Sequence, residues 1–456
     1  MVTSKFCDAA DWFDPEIQDI ILQQLRETPR FHRKQWEFAS IFRALKHNGK
    51  LHSKSKGLSV GGGVERLLYS IAPHVGSLLV TDLYDEQTTW DCARTSDPEV
   101  FVKSQKPFPV DDQNISVKRM DMRSLDLENE TFDFCYSTCA VEHIGHHDDF
   151  LRHFNEVARV LKQNGLYVMT TEVSYNNEVI HDDHNYVFTL EFMGKILDES
   201  DLEPIGMFDA SISPHRINRP LPSNLGDLNS FHPATLAEDI IREGPHLQLL
   251  RGKHPFTCGL FLLQKRQGKK GLEVNRLPST RTLMEKGVKE YAESLNKSVV
   301  TLNPYSMIAG EKSRFCADHR EFFADQINQQ ADDTVFHTDY FWLGSARRHF
   351  EVELSLPKPH RGTELEIRIH RFRTLNSQEV ECVEQILVPL SQDRLNVHLE
   401  VETNEDYSYA ILGKQKGATV LYENISIESW TNSLSQQMRK SKRVASLPSE
   451  SEVFVS

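Results

Sequence analysis

Residues 56–82 read KGLSVGGGVERLLYSIAPHVGSLLVTD, and the fold is decided there. Leu58 to Val60 is a short apolar run, Gly61-Gly62-Gly63 a sharp break, Val64 to Ala72 an amphipathic helical pattern, and Ser77 to Val80 a second buried strand running out at Asp82. Strand, glycine turn, helix, strand and acid is the order of a βαβ unit. In such a unit a backbone free of side chains brings its N–H groups close to a ligand, and the acid meets ribose hydroxyls.

One missing residue narrows the ligand. A dinucleotide site needs G-x-G-x-x-G, with the last glycine allowing close helix–strand packing, but Arg66 holds that position after Gly61 and Gly63. NAD is disfavoured, and the lack of Lys-Ser or Lys-Thr after the glycines excludes a phosphate-cradling P-loop. S-adenosylmethionine needs only the close turn, the ribose acid and an adenine pocket. Taken alone, the glycines describe a plain tight turn equally well, since glycine serves wherever φ is positive.

At 456 residues the chain is too long for one core and implies two or three domains. A 39% hydrophobic, 26% charged composition is that of an ordinary globular protein. A net charge of -14 opposes the clustered Lys and Arg that nucleic acid requires, so no nucleic-acid partner is expected. The N-terminus, MVTSKFCDAADWFDPEIQ, carries acids where a signal peptide has its apolar core. No run approaches the roughly 18 apolar residues of a membrane span, so no membrane partner and a cytoplasmic location are expected. Seven scattered cysteines without C-x-x-C spacing read as reduced, buried thiols.

In chain order, Asp14-Pro15 starts a helix with Ile17, Ile20, Ile21 and Leu25 inward, and a second helix is expected over about Phe31 to His47. Arg33, Lys34 and Glu37 on that second helix either face the cofactor or simply belong to a helix covering the sheet. A long polar connection, Tyr84 to Asn114, holds Trp90. Strands are expected at Ile115 to Met120, Phe132 to Ser137 and Leu166 to Thr170, with a helix at Asp149 to Leu161 closed by a left-handed Gly165. This alternation calls for a parallel sheet with helices on both faces.

The segments GLSVGGGVE, TD at 81–82, MDMR at 120–123, TFDFCYSTCAVEHI and EVARVLKQNGLYVMTTE resemble, in order, the motifs of class I S-adenosylmethionine-dependent methyltransferases. The match spans about Lys56 to Glu172. It implies a Rossmann-like sheet and S-adenosylmethionine as cofactor, with Gly61 and Gly63 under its methionine part, Asp82 on the ribose, Asp121 and Met122 around adenine, and Ser137 lining the site. Two positions depart from the pattern: Ser59 stands where the family often has an acid, and Glu65 where a third glycine is common. Glu65 either binds the cofactor's ammonium or serves as a helix-dipole partner.

Past the fifth strand, EVSYNNEVIHDDHNY lies where a substrate would meet the methyl group. His181, Asp182, Asp183 and His184 offer a general base or metal ligands there, and read equally as a solvated turn. His143, beside Glu142, is a third candidate base, although this pair resembles the family's structural Glu-His. Without H-E-x-x-H or an accompanying cysteine pair, no metal site is assigned. Tyr186 to Leu202 reads as a helix and Cys258 to Leu263 as a closing strand.

The expected organisation is a helical segment at 1–55, the methyltransferase domain at 56–266, a helical linker at 267–335, a smaller mostly-β sandwich at 336–430 and a disordered tail at 431–456. Period-two alternation at Phe350, Val352, Leu354, then Leu365, Ile367, Ile369 and Leu395 to Val401 supports the sandwich, which is either a glycan binder or a packing module. The expected activity is methyl transfer to O or N of a saccharide or small polar metabolite. The competing expectation is a non-catalytic scaffold whose sandwich binds glycan or protein. Replacing Asp82 with Ala is expected to weaken S-adenosylmethionine binding by about 1.5–3 kcal/mol, the scale of a hydrogen bond to a charged group. Calorimetric titration reads this directly, and unchanged affinity would contradict the ribose assignment.

Overall fold

The computed structural model describes residues 2–87, 91–181, 185–222, 245–268, 271–296, 300–301, 334–338, 341–373, 380–416 and 424–431. Trp90, Asp182, Asp183, His184, residues 302–333 of the expected helical linker and the tail after Thr431 lie outside the described residues. The chain divides into two compact units. The first is Met1–Ser223 with Gly244–Gly287, and the described residues of the second begin at Val288. The first unit thus takes in residues 1–55, expected as a separate segment, and runs beyond the boundary expected at 266.

After β1 (Ser4–Phe6), the Asp14 side chain accepts from the Glu16 N–H and Pro15 opens α1 (Pro15–Asp19). Helix α2 (Arg33–His47) begins where the His32 ring accepts from the Lys34 N–H, and it buries Trp36, Phe38, Ile41, Phe42 and Leu45. The central βαβ unit is β2 (Lys56–Val60), α3 (Arg66–Ile71) and β3 (Ser77–Asp82). There follow α4 (Pro98–Ser104), β4 (Ile115–Arg119), β5 (Phe132–Thr138), α5 (His147–Val160) and β6 (Leu161–Ser174). A short hairpin of β7 (Ile180–His181) and β8 (Tyr186–Val187) leads to α6 (Leu190–Glu199) and β9 (Leu202–Pro204). The unit ends with β10 (Phe208–Asp209), β11 (Leu221–Pro222), β12 (Leu249–Arg251), β13 (His254–Lys265), β14 (Val274–Asn275) and the first part of α7 (Leu277–Leu295).

The sheet runs β14-β10-β1-β13-β6-β5-β2-β3-β4. Strands β4, β3, β2, β5 and β6 are parallel, and β13 lies antiparallel on β6 with Cys258 opposite Glu172. Strand order reverses between β2 and β5, so the crevice past their carboxyl ends is the place where such sheets bind ligands. One face packs against α1, α2 and α3 through Phe134, Tyr136, Leu78, Val80 and Val168. The other packs against α5 and α6 through Leu58, Val60, Cys135, Tyr167 and Met169. Helices on both faces are what the alternating sequence calls for.

Three local expectations are corrected. Helix α5 stops at Val160 because Leu161 is already extended (φ -71, ψ 140) and opens β6, which is longer at both ends than expected. Gly165 has no left-handed backbone; it is needed for space, since a Cβ there would sit 2.8 Å from the Lys162 carbonyl. The helix expected from Tyr186 starts only at Leu190, where Thr189 Oγ1 accepts from the Phe192 N–H. Tyr186 and Val187 are held in the hairpin, and Phe188 exchanges backbone hydrogen bonds with the end of β6.

In the second unit, β15 (Val300–Thr301), β16 (Thr334–His337), β17 (Phe341–Trp342), β18 (Ala346–Ser355), β19 (Glu364–Arg373), β20 (Val380–Pro389), β21 (Arg394–Thr403), β22 (Tyr407–Lys416) and β23 (Asn424–Thr431) form two antiparallel sheets. Their orders are β15-β23-β18-β21 and β16-β22-β19-β20, with β17 on β22. Phe350, Val352, Leu354, Leu365, Ile367, Ile369, Val397 and Leu399 share one core between them, as the alternation requires. No described helix is long and apolar enough to cross a membrane.

Phe154 is fully buried on α5, edge-on to Tyr167. Phe154→Ala is expected to destabilise the first unit by about 3–5 kcal/mol, the usual cost of an aromatic-sized core deletion. Urea unfolding would register it, and a loss below about 1 kcal/mol would show that the packing there is not the closed core described.

Candidate functional site

The glycine turn is built by backbone constraint. Gly61 (φ +65) and Gly63 (φ +45) are left-handed, and a Cβ on Gly61 would lie 2.5 Å from the Ala140 Cβ and 2.7 Å from the Met122 Cε. Asp82, at the end of β3, accepts from the Gly63 N–H (2.9 Å) and from the Leu83 N–H (2.7 Å). Burial pushes the Asp82 carboxyl up, and the Leu83 and Gly63 N–H groups offset part of that. A carboxylate has about four acceptor sites, so two stay available for hydroxyl donors. The Tyr84 hydroxyl donates to the Gly63 carbonyl (2.7 Å) and closes the turn from the other side.

Met122 is buried against this turn. Asp121 is engaged by the Arg123 guanidinium, with Nε at 2.9 and 3.1 Å and Nη2 at 2.6 Å. That pairing holds its carboxyl below the usual range and leaves it half-exposed at the end of β4. Ser137 is fully buried, with its hydroxyl beside the Tyr167 phenol.

Glu65 is the residue most altered by its setting. Its backbone caps α3, but its carboxylate makes no capping bond and turns instead to the Thr138 hydroxyl and Lys34 Nζ (3.3 Å). Burial pushes its pKa from 4.5 up to about 7, against the lowering effect of Lys34 and Thr138. Lys34 also reaches Glu37 Oε2 (3.3 Å) and the Thr138 carbonyl (3.1 Å). Burial opposes its charge, yet Glu37 and Glu65 hold its pKa well above the usual lysine value.

Further out, Arg33 Nη1 pairs with Glu172 Oε1 at 2.5 Å, near the end of β6. Glu142, buried after β5, accepts from the Thr171 hydroxyl at 2.7 Å through Oε2, while Oε1 has no partner among the described residues. Burial pushes its carboxyl up; neighbouring Glu172 adds to that and His143 opposes it. The ends of β5 and β6 therefore carry hydroxyls and carboxyls, with the cations Arg33 and Lys34 beside them.

The candidate bases fall in different places. His143 is half-buried on the turn carrying Glu142. His181 stacks on Tyr186 (4.8 Å, 10°), whose hydroxyl meets His146 Nδ1 at 2.8 Å, so it belongs to the hairpin rim. His184 lies outside the described residues. The sequence reading missed Tyr84 and Glu172 altogether, and for Arg33, Lys34 and Glu37 left open which way they face. The one legible signal was a cluster of charges on the otherwise apolar period of α2.

Residues 58–169 match the family model described as a methyltransferase domain. Solved structures with a similar fold include a geranyl diphosphate methyltransferase in complex with SAM, 14% identical, with 58% of this chain and 98% of that chain covered and a TM-score of 0.35. Others are S-adenosylmethionine-dependent methyltransferases from Mesorhizobium loti (16% identical, 49% and 97% covered, TM-score 0.31) and from Clostridium acetobutylicum (13%, 57% and 99%, 0.31). No curated protein matches the chain.

Glu65 sets a pH dependence with a definite sign. Between pH 4.5 and about 7 the unfolded chain has released a proton that the folded chain keeps, so stability falls as pH rises through that window and levels off above it. Glu65→Gln, which mimics the neutral acid, is expected to remove up to about 3 kcal/mol of this dependence. Urea midpoints at about pH 5 and about pH 8 measure it; an unchanged difference between them would exclude Glu65 as the titrating group.

Proposed function

We propose that this chain, whose residues 58–169 form a class I S-adenosylmethionine-dependent methyltransferase domain, transfers a methyl group to an oxygen or nitrogen of a small polar metabolite or saccharide. The cofactor is S-adenosylmethionine. The residues present fit it: the Gly61–Gly63 turn keeps clear the space a Cβ would fill, and Asp82 retains acceptor capacity beside it. In this reading Gly61 and Gly63 hold the methionine part, Asp82 the ribose, and Met122 and Asp121 the adenine side, while Ser137 supports the floor from within the sheet. In the same reading Glu65, a carboxylate where a glycine is common, takes the ammonium group.

S-adenosylmethionine supplies a methyl already activated on a sulfonium, so much of the protein's work is positioning, which is worth about 7–11 kcal/mol. The observation that carries the acceptor class is the wall of Thr170, Thr171, Glu142 and Glu172 at the ends of β5 and β6. Such a wall matches hydroxyl or amine donors and offers little to an apolar acceptor. Glu142, with one oxygen unpartnered among the described residues and its carboxyl pushed up, is the first candidate to take the acceptor's proton. His143 on the same turn comes next, then His184; His181 is engaged by Tyr186.

Calorimetric titration with S-adenosylmethionine and S-adenosylhomocysteine is the first test, followed by labelled methyl transfer to panels of hydroxylated and aminated acceptors. Binding of both ligands is expected; binding of neither would favour a scaffold. With an acceptor in hand, Glu142→Gln is expected to lower kcat by about 10²–10⁴ with cofactor affinity unchanged. An unchanged kcat would move the proton acceptor elsewhere.

A further inference from the structure

Glu37 on α2, Cys139 one residue past β5 and Cys258 in β13 bring three ligand atoms to within 4.8 Å of one another. The Cys258 thiol lies 3.0 Å from Glu37 Oε1 and 3.4 Å from the Cys139 sulfur. Glu37 and Cys258 are fully buried and Cys139 is half-buried. Two thiols in contact invite either a disulfide or a shared metal ion, and the separation of the sulfurs discriminates between them.

The Cys139 N–H donates to the Thr170 carbonyl, continuing the β5–β6 ladder by one rung, whereas Cys258 pairs with Glu172 on the opposite edge of β6. The two residues thus reach each other from opposite sides of β6. A disulfide would need the sulfurs to close from 3.4 Å to about 2.05 Å, a shift of more than an ångström. A tetrahedral ion suits them better. Zinc–sulfur bonds of about 2.3 Å place two sulfurs about 3.8 Å apart, a shift of only a few tenths of an ångström from the separation observed.

The third donor is already oriented. Glu37 Oε2 is anchored by the Thr170 hydroxyl (3.0 Å) and Lys34 Nζ (3.3 Å), which turns Oε1 toward the sulfurs. Supporting bonds of this kind are what aim a metal-ligating carboxylate. Two cations stand close, Lys34 and Arg33, whose Nη1 is 3.4 Å from the Cys258 sulfur. Glu172 pairs with Arg33, and Glu37 and Glu65 with Lys34, so neither cation is left unpaired beside the ion.

We propose that Glu37 Oε1, Cys139 Sγ and Cys258 Sγ form a binding site for a thiophilic divalent metal ion of the zinc class. Three protein donors leave the fourth position to water or to a donor atom of a bound molecule. Binding forms two sulfur–metal bonds and one oxygen–metal bond and releases the two thiol protons to solvent, with no change of oxidation state. The site stands on its own geometry and does not depend on methyl transfer.

The test is a Co²⁺ titration of the untagged, chelator-stripped full chain under reducing conditions, followed by displacement with Zn²⁺. The expected result is about one equivalent bound, with a thiolate-to-cobalt charge-transfer band, the visible spectrum of a tetrahedral ion and release of about two protons. Cys139→Ser, at the half-buried position, is expected to weaken Zn²⁺ at least about tenfold while thermal unfolding stays unchanged; Glu37→Gln should weaken it with the charge-transfer band retained. A wild-type spectrum without the charge-transfer band would overturn the site. So would unchanged affinity in Cys139→Ser, or a native mass lower by two hydrogens, which would mean a disulfide.

Discussion

Lys34 Nζ is the point on which the site turns. It reaches Glu37 on its own helix, Glu65 at the start of α3 and the Thr138 carbonyl at the end of β5. One ammonium therefore ties α2, the glycine turn's helix and the central strand end together. Desolvating it is costly, and only a full set of partners makes such burial tolerable. The price is met by carboxylates that are themselves buried, which is why Glu65 is pushed up to about 7 while Glu37 stays ionised below the usual range. The stability of this corner and its electrostatic potential are the same physical fact.

That arrangement explains the two departures from the family pattern. A third glycine would leave room at position 65, whereas here a carboxylate fills it and is steadied by Thr138 and Lys34. Ser59, where an acid is common, sits fully buried beneath the turn, and a Cβ on Gly62 would come within 2.3 Å of its hydroxyl oxygen. The serine hydroxyl thus fills the space beneath Gly62, and Glu65 puts a carboxylate at the helix start, where Lys34 of α2 pairs with it.

The same mixture of charge continues past the strand ends, where Glu172 pairs with Arg33 and buried Glu142 is pushed up. Parallel strands bring Thr138, Thr170 and Thr171 to one level, so the polar groups share a rim although their elements are far apart in sequence. The sandwich unit has a core of its own.

The sequence by itself determined the order of strands and helices, the glycine turn and its acid, and the alternation of the sandwich, because each is a local pattern. Periodicity reports which side of an element meets the core, and Gly61 and Gly63 take a left-handed φ that other residues seldom adopt. Helix ends were less legible: whether Leu161 ends α5 or opens β6, and whether Tyr186 joins a helix or a hairpin, depends on neighbours the local pattern does not contain. The tertiary structure alone decided which charges meet. Lys34 and Glu65, Thr171 and Glu142, and Cys139 and Cys258 are brought together across 31, 29 and 119 residues by strand order. Burial, which sets their protonation, arises only once those elements pack.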